Sequence, residues 1–319
     1  MSLKGQIAVV TGASRGLGQG IALQLGQAGA TVYVTGRKPE HADGSKVGGL
    51  PSLDQTAKDI TDRGGRGIAA YVDHGDMEQV KQFFARLEKE TDGQLDILVN
   101  NAYSAIVPGV AEGIAEKKFF QADPGYWDTV TNVGLRNHYF CSCYAARLMA
   151  KQRRGLIVTI SSAGGLDYLF SVAYGTCKQA NDRMIADMAH ELKSENVACV
   201  SVWPGYVRTQ LIDKKLENPE YANSAVGRAF KDGETTEFCG KAIVALASDA
   251  NVMSVSGKIL TTADLAEKYA FYDLNGTRPR SMFSLPSFSR RMGWGSVGSI
   301  LPSWIKIPGW VMAAYYSRF

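Results

Sequence analysis

Thr11-Gly12-Ala13-Ser14-Arg15-Gly16-Leu17-Gly18 follows the β-branched apolar run Gln6 to Thr11 and leads into a stretch with apolar residues at Ile21, Leu25 and Ala28. Such a succession reads as strand, turn and helix. In that setting the glycines have separate tasks. Gly12 permits the turn, Gly16 lets the backbone approach a pyrophosphate, and Gly18 allows close helix packing. Ser14, Arg15 and Leu17 complete a turn whose amides, with the positive end of the helix dipole, suit an anion.

Outward from that turn the pattern recurs. Thr31 to Thr35, Gly67 to Val72, Asp96 to Asn100, Gly155 to Ser161, Ala198 to Val202 and Lys258 to Leu260 are strand-like, with helical segments between most of them. The alternation predicts an α/β fold, a doubly wound parallel sheet of the Rossmann type covered by helices on both faces. A composition of 45% hydrophobic residues in 319 supplies enough apolar material for one such domain. The polar, glycine-rich stretch Pro39 to Leu53 reads as a long surface loop. Thr209 to Thr236 lies just past another strand end and reads as a mobile substrate lid.

A formal charge of +4 argues against a nucleic-acid binder. The five cysteines (Cys141, Cys143, Cys177, Cys199, Cys239) include no C-x-x-C, and the four histidines (His41, His74, His138, His190) are scattered, so no metal site is expected. The second strand runs out through Val34-Thr35-Gly36-Arg37-Lys38 without the carboxylate that commonly holds a ribose 2′-hydroxyl. Arg37 and Arg15 suit a 2′-phosphate instead, which predicts NADPH in preference to NADH.

Tyr174 and Lys178 are four residues apart, hence on one face of a helix in adjacent turns. A fixed ammonium beside a phenol is expected to lower the phenol's pKa toward neutrality, where it can exchange protons. Together with the glycine turn, this pair and a further set of motifs resemble the short-chain dehydrogenase/reductase family over roughly residues 4 to 265. The acidic residue after the third strand matches Asp73, and the N-N-A element matches Asn100-Asn101-Ala102. The helix asparagine matches Asn132, the serine strand end Ser161-Ser162, and the P-G-x-V-x-T element Pro204 to Thr209. The resemblance implies a cofactor site of Gly12, Ser14, Arg15, Gly16, Leu17, Gly18, Arg37, Asp73, Asn100, Tyr174, Lys178 and Thr209. It implies hydride delivery to a carbonyl carbon, with Tyr174 donating the proton, Lys178 binding the nicotinamide ribose and acidifying Tyr174, and Ser162 polarising the carbonyl. Asn132 would hold a water linking Lys178 to solvent, Asp73 would meet the adenine, and Thr209 would fix the nicotinamide carboxamide.

Three departures qualify the match. Tyr103 stands where glycine usually follows Asn-Asn-Ala, and Cys177 replaces a serine before the lysine. The interval from Ser162 to Tyr174 is one residue short, which keeps Ser161 as an alternative for the serine role. Asn101-Ala102-Tyr103, the run from Asn132 to Cys141, and Leu301-Pro302-Ser303-Trp304 resemble one subgroup of the family. That subgroup implies reduction of steroid ketones and xenobiotic carbonyls and association with the endoplasmic reticulum. A catalytically retired NADPH-binding scaffold at a membrane surface is the alternative, though loss of the tyrosine or lysine would be its expected mark. An enoyl reductase on the same fold would space that pair more widely.

Residues 1 to 276 are expected to form the catalytic domain, and 277 to 319 an extension. The extension holds six basic residues (Arg278, Arg280, Arg290, Arg291, Lys306, Arg318), no acidic one, and Trp294, Trp304 and Trp310. Its apolar run from Trp310 to Tyr316 is far short of the roughly 20 residues that span a bilayer. It either packs on the domain or docks peripherally on an anionic membrane surface. No signal-peptide h-region is visible, so a cytosolic-side protein is expected. The helices around Tyr139 to Ala150 and Tyr174 to Leu192 carry small and apolar residues on more than one face, and the resemblance, in whose family such helices often make a dimer, implies a homodimer.

Overall fold

The computed structural model describes residues 1–38, 52–106, 109, 113–114, 117–291, 301–302 and 304–316. Strands β1 (Ile7–Thr11), β2 (Thr31–Gly36), β3 (Arg66–Tyr71), β4 (Ile97–Asn100), β5 (Gly155–Ile160) and β6 (Val197–Trp203) form in chain order, and all but β3 carry two or more Val or Ile, whose branched side chains pack well on a pleated surface. Two short strands follow, β7 (Val207–Arg208) and β8 (Glu234–Thr235), and then β9 (Ile259–Thr261). The main sheet has the order β3-β2-β1-β4-β5-β6-β9 with every pair parallel, and β7 and β8 pair separately. All seven strand-like runs of the sequence are strands of the main sheet.

Alternation along each strand sends side chains to two cores. Val10, Val32, Val99, Val158 and Val200 point to the face covered by α1 (Gly16–Gln27), α2 (Leu53–Asp62), α10 (Thr236–Ala247) and α11 (Thr262–Lys268). Val9, Tyr33, Leu98, Ile157 and Cys199 point to the face covered by α3 (Met77–Glu90), α5 (Asn137–Gln152) and α6 (Val172–Glu191). Strands buried on both faces explain why they read as continuous apolar runs.

Strand order reverses between β1 and β4, leaving a crevice at their C-terminal ends, where ligands of such sheets bind. The expected lid over Thr209 to Thr236 folds as three short helices, α7 (Gln210–Leu216), α8 (Pro219–Asn223) and α9 (Ala225–Lys231), each opened by a hydroxyl or amide cap from Thr209, Asn218 or Ser224. Helix α4 (Tyr126–Thr131) runs into α5 through a π-type kink at Asn132–Arg136. Of the loop expected over Pro39 to Leu53, Ser52 and Leu53 form the N-cap and first residue of α2, and the rest lies outside the described residues.

Beyond Gly276, α12 (Leu285–Arg291) and α13 (Gly309–Tyr316) are described. An antiparallel bridge joins Ser284 to Lys306. The ring of Phe283 lies 6.3 Å from that of Trp203, and Lys306 pairs with Asp264 at 2.5 Å and Glu267 at 2.7 Å. Met312 is buried, whereas Trp304 is 74% exposed. Trp294 lies outside the described residues.

Candidate active site

The β1–α1 turn is held by its neighbours together with the Thr11 hydroxyl. Gly12 and Gly16 adopt φ of 66° and 59°, a region open to glycine at little strain. A Cβ on Gly12 would come within 2.7 Å of the Ala102 backbone, and one on Gly18 within 2.3 Å of the Gly12 carbonyl. The Thr11 hydroxyl donates to the Val99 carbonyl and accepts from the amides of Asn101 and Ala102. The Asn101 side chain donates to the carbonyls of Thr11 and Gly12 at 2.9 and 3.0 Å. The Ala13 amide donates to Thr35, and the Ser14 carbonyl accepts from Thr56 of α2. These contacts tie the turn to the C-terminal part of β2 and to α2.

The N-terminus of α1 carries no acidic residue in its first turn and no side-chain cap from Arg15. Its Gly16 amide donates to the Gln210 carboxamide oxygen at 2.9 Å. A neutral oxygen acceptor thus sits where the helix dipole and free amides favour a phosphate oxygen, so this cradle fits the diphosphate of a dinucleotide. Thr209 caps α7 beside the same turn, its methyl 3.7 Å from the place a Gly16 Cβ would take. Asp73, at the end of β3, accepts from the Gly75 amide and is half-buried.

On the other side of the crevice, the Tyr174 hydroxyl donates to the Ser162 oxygen at 2.8 Å, and Ser162 also accepts from the Gly164 amide at 3.0 Å. With two donors received, the Ser162 hydroxyl proton is left to point at a third acceptor. Ser161 is turned away. It is 2% exposed and donates to the Lys178 carbonyl at 3.1 Å, so Ser162 is the serine brought to Tyr174. Lys178, 6% exposed, donates from Nζ to the Ile160 carbonyl at 3.0 Å and lies 5.7 Å from the Tyr174 ring centroid. Phe170 and Tyr103 meet Tyr174 edge to face at 5.2 and 6.1 Å.

Two expectations are corrected. Burial pushes the Tyr174 phenol up to about 12, against a smaller opposite effect of the Ser162 hydrogen bond, so the phenol is not brought toward neutrality. Lys178 itself is pushed down by burial. The Asn100 side chain does not reach the crevice. It is fully buried and donates to Ser142 at 2.9 Å, and the neighbouring Asn101 makes the turn contacts instead. Asn132 opens the π-type kink, where it donates to the Gly75 carbonyl at 3.4 Å and accepts from Arg136 at 3.2 Å. Sequence reading passed over Asn101, whose signal was its place in Asn-Asn-Ala, and Gln210, whose only signal was adjacency to Thr209. Among the described residues no cluster of His, Cys, Asp or Glu could hold a metal.

The family model for short chain dehydrogenase matches residues 6–220. The chain is 44% identical to human (Homo sapiens) dehydrogenase/reductase SDR family member 1, covering 99% of both chains. It is 31% identical to a 3-oxoacyl-[acyl-carrier-protein] reductase of Aquifex aeolicus over 66% of this chain and 77% of that one. A solved structure of a putative short-chain alcohol dehydrogenase from Sinorhizobium meliloti superimposes with a TM-score of 0.68 at 30% identity, covering 83% of this chain and 98% of that one.

Proposed function

From the premise that this chain belongs to the short-chain dehydrogenase/reductase family and is an oxidoreductase on a nicotinamide-binding Rossmann-type fold, we propose that it reduces carbonyl groups of lipophilic small molecules with NADPH. Steroid ketones and xenobiotic carbonyls are the substrate class. The observation that carries the reading is the convergence of the Tyr174 and Ser162 hydroxyls, 2.8 Å apart, with the Lys178 ammonium behind them. Bound NADPH would supply the hydride for the carbonyl carbon.

Everything else is work for this chain's side chains. Tyr174, its phenol held protonated at neutral pH, donates to the carbonyl oxygen as charge develops there. The free Ser162 proton polarises the same oxygen. Lys178 holds the nicotinamide ribose and offers positive charge to the emerging tyrosinate, and Asn132 and a water resupply the proton. The Gly12–Gly18 turn, with Ser14 and Leu17, holds the diphosphate; Asp73 meets the adenine and Thr209 the carboxamide. Arg15 and Arg37 select the 2′-phosphate over a bare 2′-hydroxyl. Asn100 supports the site through the sheet.

Removing only the donor tests the reaction. Tyr174→Phe is expected to lower kcat for carbonyl reduction by at least about a hundredfold, the range of one acid catalyst, with NADPH affinity within a few-fold of wild type by fluorescence titration. Retained turnover would overturn the mechanism. Peripheral membrane contact through residues 277–319 and a homodimer through α5 and α6 belong to the same reading. The exposed Trp304 and Tyr139 rings favour them.

A further inference from the structure

Lys178 is a buried cation with an unusual set of neighbours. Apart from the Ile160 carbonyl of β5, its ammonium is surrounded by titratable groups that do not pair with it as ions: Tyr174 and Cys177 of its own helix, Asp182 one turn on, and His138 of α5. The Asp182 Oδ1 accepts from Ser201 at 2.6 Å and from the Trp203 indole at 3.0 Å, and no salt bridge joins Asp182 to Lys178 among the described residues. What faces the ammonium is the ring of Tyr103, its centroid 5.1 Å from Nζ and closer than that of Tyr174. That distance lies inside the range in which a ring quadrupole attracts a cation, and the attraction grows when water is excluded.

The ring sits in a socket shaped for it. Gly134, in the π-type kink, has φ of 155°, and a Cβ there would lie 2.7 Å from Cδ2 of Tyr103 and 3.5 Å from the Cys177 sulfur. Cys177, buried, gives its thiol proton to the Gly134 carbonyl at 3.4 Å. The two departures in this part of the sequence, a tyrosine in place of glycine after Asn-Asn-Ala and a cysteine before the lysine, thus meet at one glycine. Tyr103 also presents its ring edge-to-face to Tyr174 at 6.1 Å and 76°.

We infer that Tyr103 is a positioning residue whose ring face holds the Lys178 ammonium beside Tyr174. The inference rests on the reading of Tyr174 and Lys178 as the reacting pair. The ring is the effective part. Burial pushes the Tyr103 phenol well up, so it stays neutral and does not compete with Tyr174 for protons.

The test uses the full chain as wild type, Tyr103→Leu, Tyr103→Met and Tyr103→Phe. Competitive acetylation with acetic anhydride across pH, quantified at Lys178 by mass spectrometry, reads the lysine without needing turnover. Loss of the ring face is expected to lower the apparent pKa of Lys178 by about one unit in the Leu and Met variants. In those variants kcat for carbonyl reduction falls about tenfold with KM for the carbonyl little changed, while Phe recovers most of both losses. The Met variant, whose flexible side chain fills irregular space, keeps the test open if Leu does not fold. Lys178 titrating alike in wild type and the folded aliphatic variants overturns the assignment, as does a Phe variant as impaired as Leu. Wild type without turnover on any carbonyl overturns the reaction reading instead, and the labelling result then decides Tyr103 alone.

Discussion

Arg37 follows the last residue of β2 and is half-buried, at a strand end beside β1 where the sequence places no carboxylate. A guanidinium there can take a 2′-phosphate through paired hydrogen bonds, whereas a carboxylate would repel it and accept from a 2′-hydroxyl. Arg37→Asp is therefore expected to shift the ratio of kcat/KM for NADPH over NADH toward NADH by about a hundredfold, in line with loss of one or two charge-assisted contacts. Steady-state kinetics with both cofactors checks it, and an unchanged ratio removes Arg37 from the cofactor site. At the same scale, a phenol at about 12 means that Tyr174 is fully charged with its proton for reduction at neutral pH.

Among the elements, the short β7–β8 pair anchors the helices that follow Thr209, and it does so with a buried carboxyl. Glu234 is 3% exposed. Its Oε1 accepts from the Gly205 amide at 3.0 Å and the Thr262 hydroxyl at 2.7 Å, and Oε2 has no partner among the described residues. Burial, with Asp273 nearby adding to it, pushes this carboxyl up to about 7 against the pull of its two hydrogen bonds. A carboxyl raised in the folded state contributes its stability fully below the unfolded value, near 4.5, and loses it as pH rises through about 7. Glu234→Gln keeps the acceptor and cannot ionise. It is expected to match wild type near pH 4.5 and to be more stable by about 2–3 kcal/mol near pH 8.5. Urea unfolding at the two pH values reads this directly, and equal stabilities at pH 8.5 would show that Glu234 ionises without penalty.

In the whole molecule, residues 277–319 follow β9, the last strand of the main sheet. Ser284, Phe283 and Lys306 tie the described part of this segment back toward the sheet and α11; among the described residues Lys306 pairs with Asp264 and Glu267, and Arg278 stacks on the Tyr272 ring at 4.3 Å and donates to the Phe271 carbonyl at 3.3 Å. Trp304 and Tyr315 remain exposed. Among the described residues no helix is long and apolar enough to cross a membrane. An interfacial contact would use the exposed rings at headgroup level and basic residues of the segment against anionic lipid, each adding about 1 kcal/mol near the surface. Cosedimentation with vesicles containing about 30% phosphatidylserine is expected to capture the full chain at low salt and release it at high salt, as screening requires. A chain ending at Gly276 is expected to stay in the supernatant if it remains folded by circular dichroism. The membrane reading fails if the full chain is never captured.

The sequence by itself determined the sheet and its crevice. Seven apolar runs separated by helical periodicity, a glycine turn after the first of them, and a tyrosine and lysine four apart are all local patterns, set by the two- and 3.6-residue periods of strand and helix. Tertiary structure decided matters of phase and burial. Adjacent residues at a strand end face opposite ways, so whether Ser161 or Ser162 meets Tyr174, and whether Asn100 or Asn101 holds the glycine turn, depends on how each strand end is oriented in the sheet. The spacing of Tyr174 and Lys178 predicts an acidified phenol, yet removal from water raises it, because desolvation is summed over everything packed around the site and no short stretch of sequence contains that sum. Glu234 is likewise legible only in the fold. Its burial is made by Gly205 and Thr262, each 28 or 29 residues away along the chain.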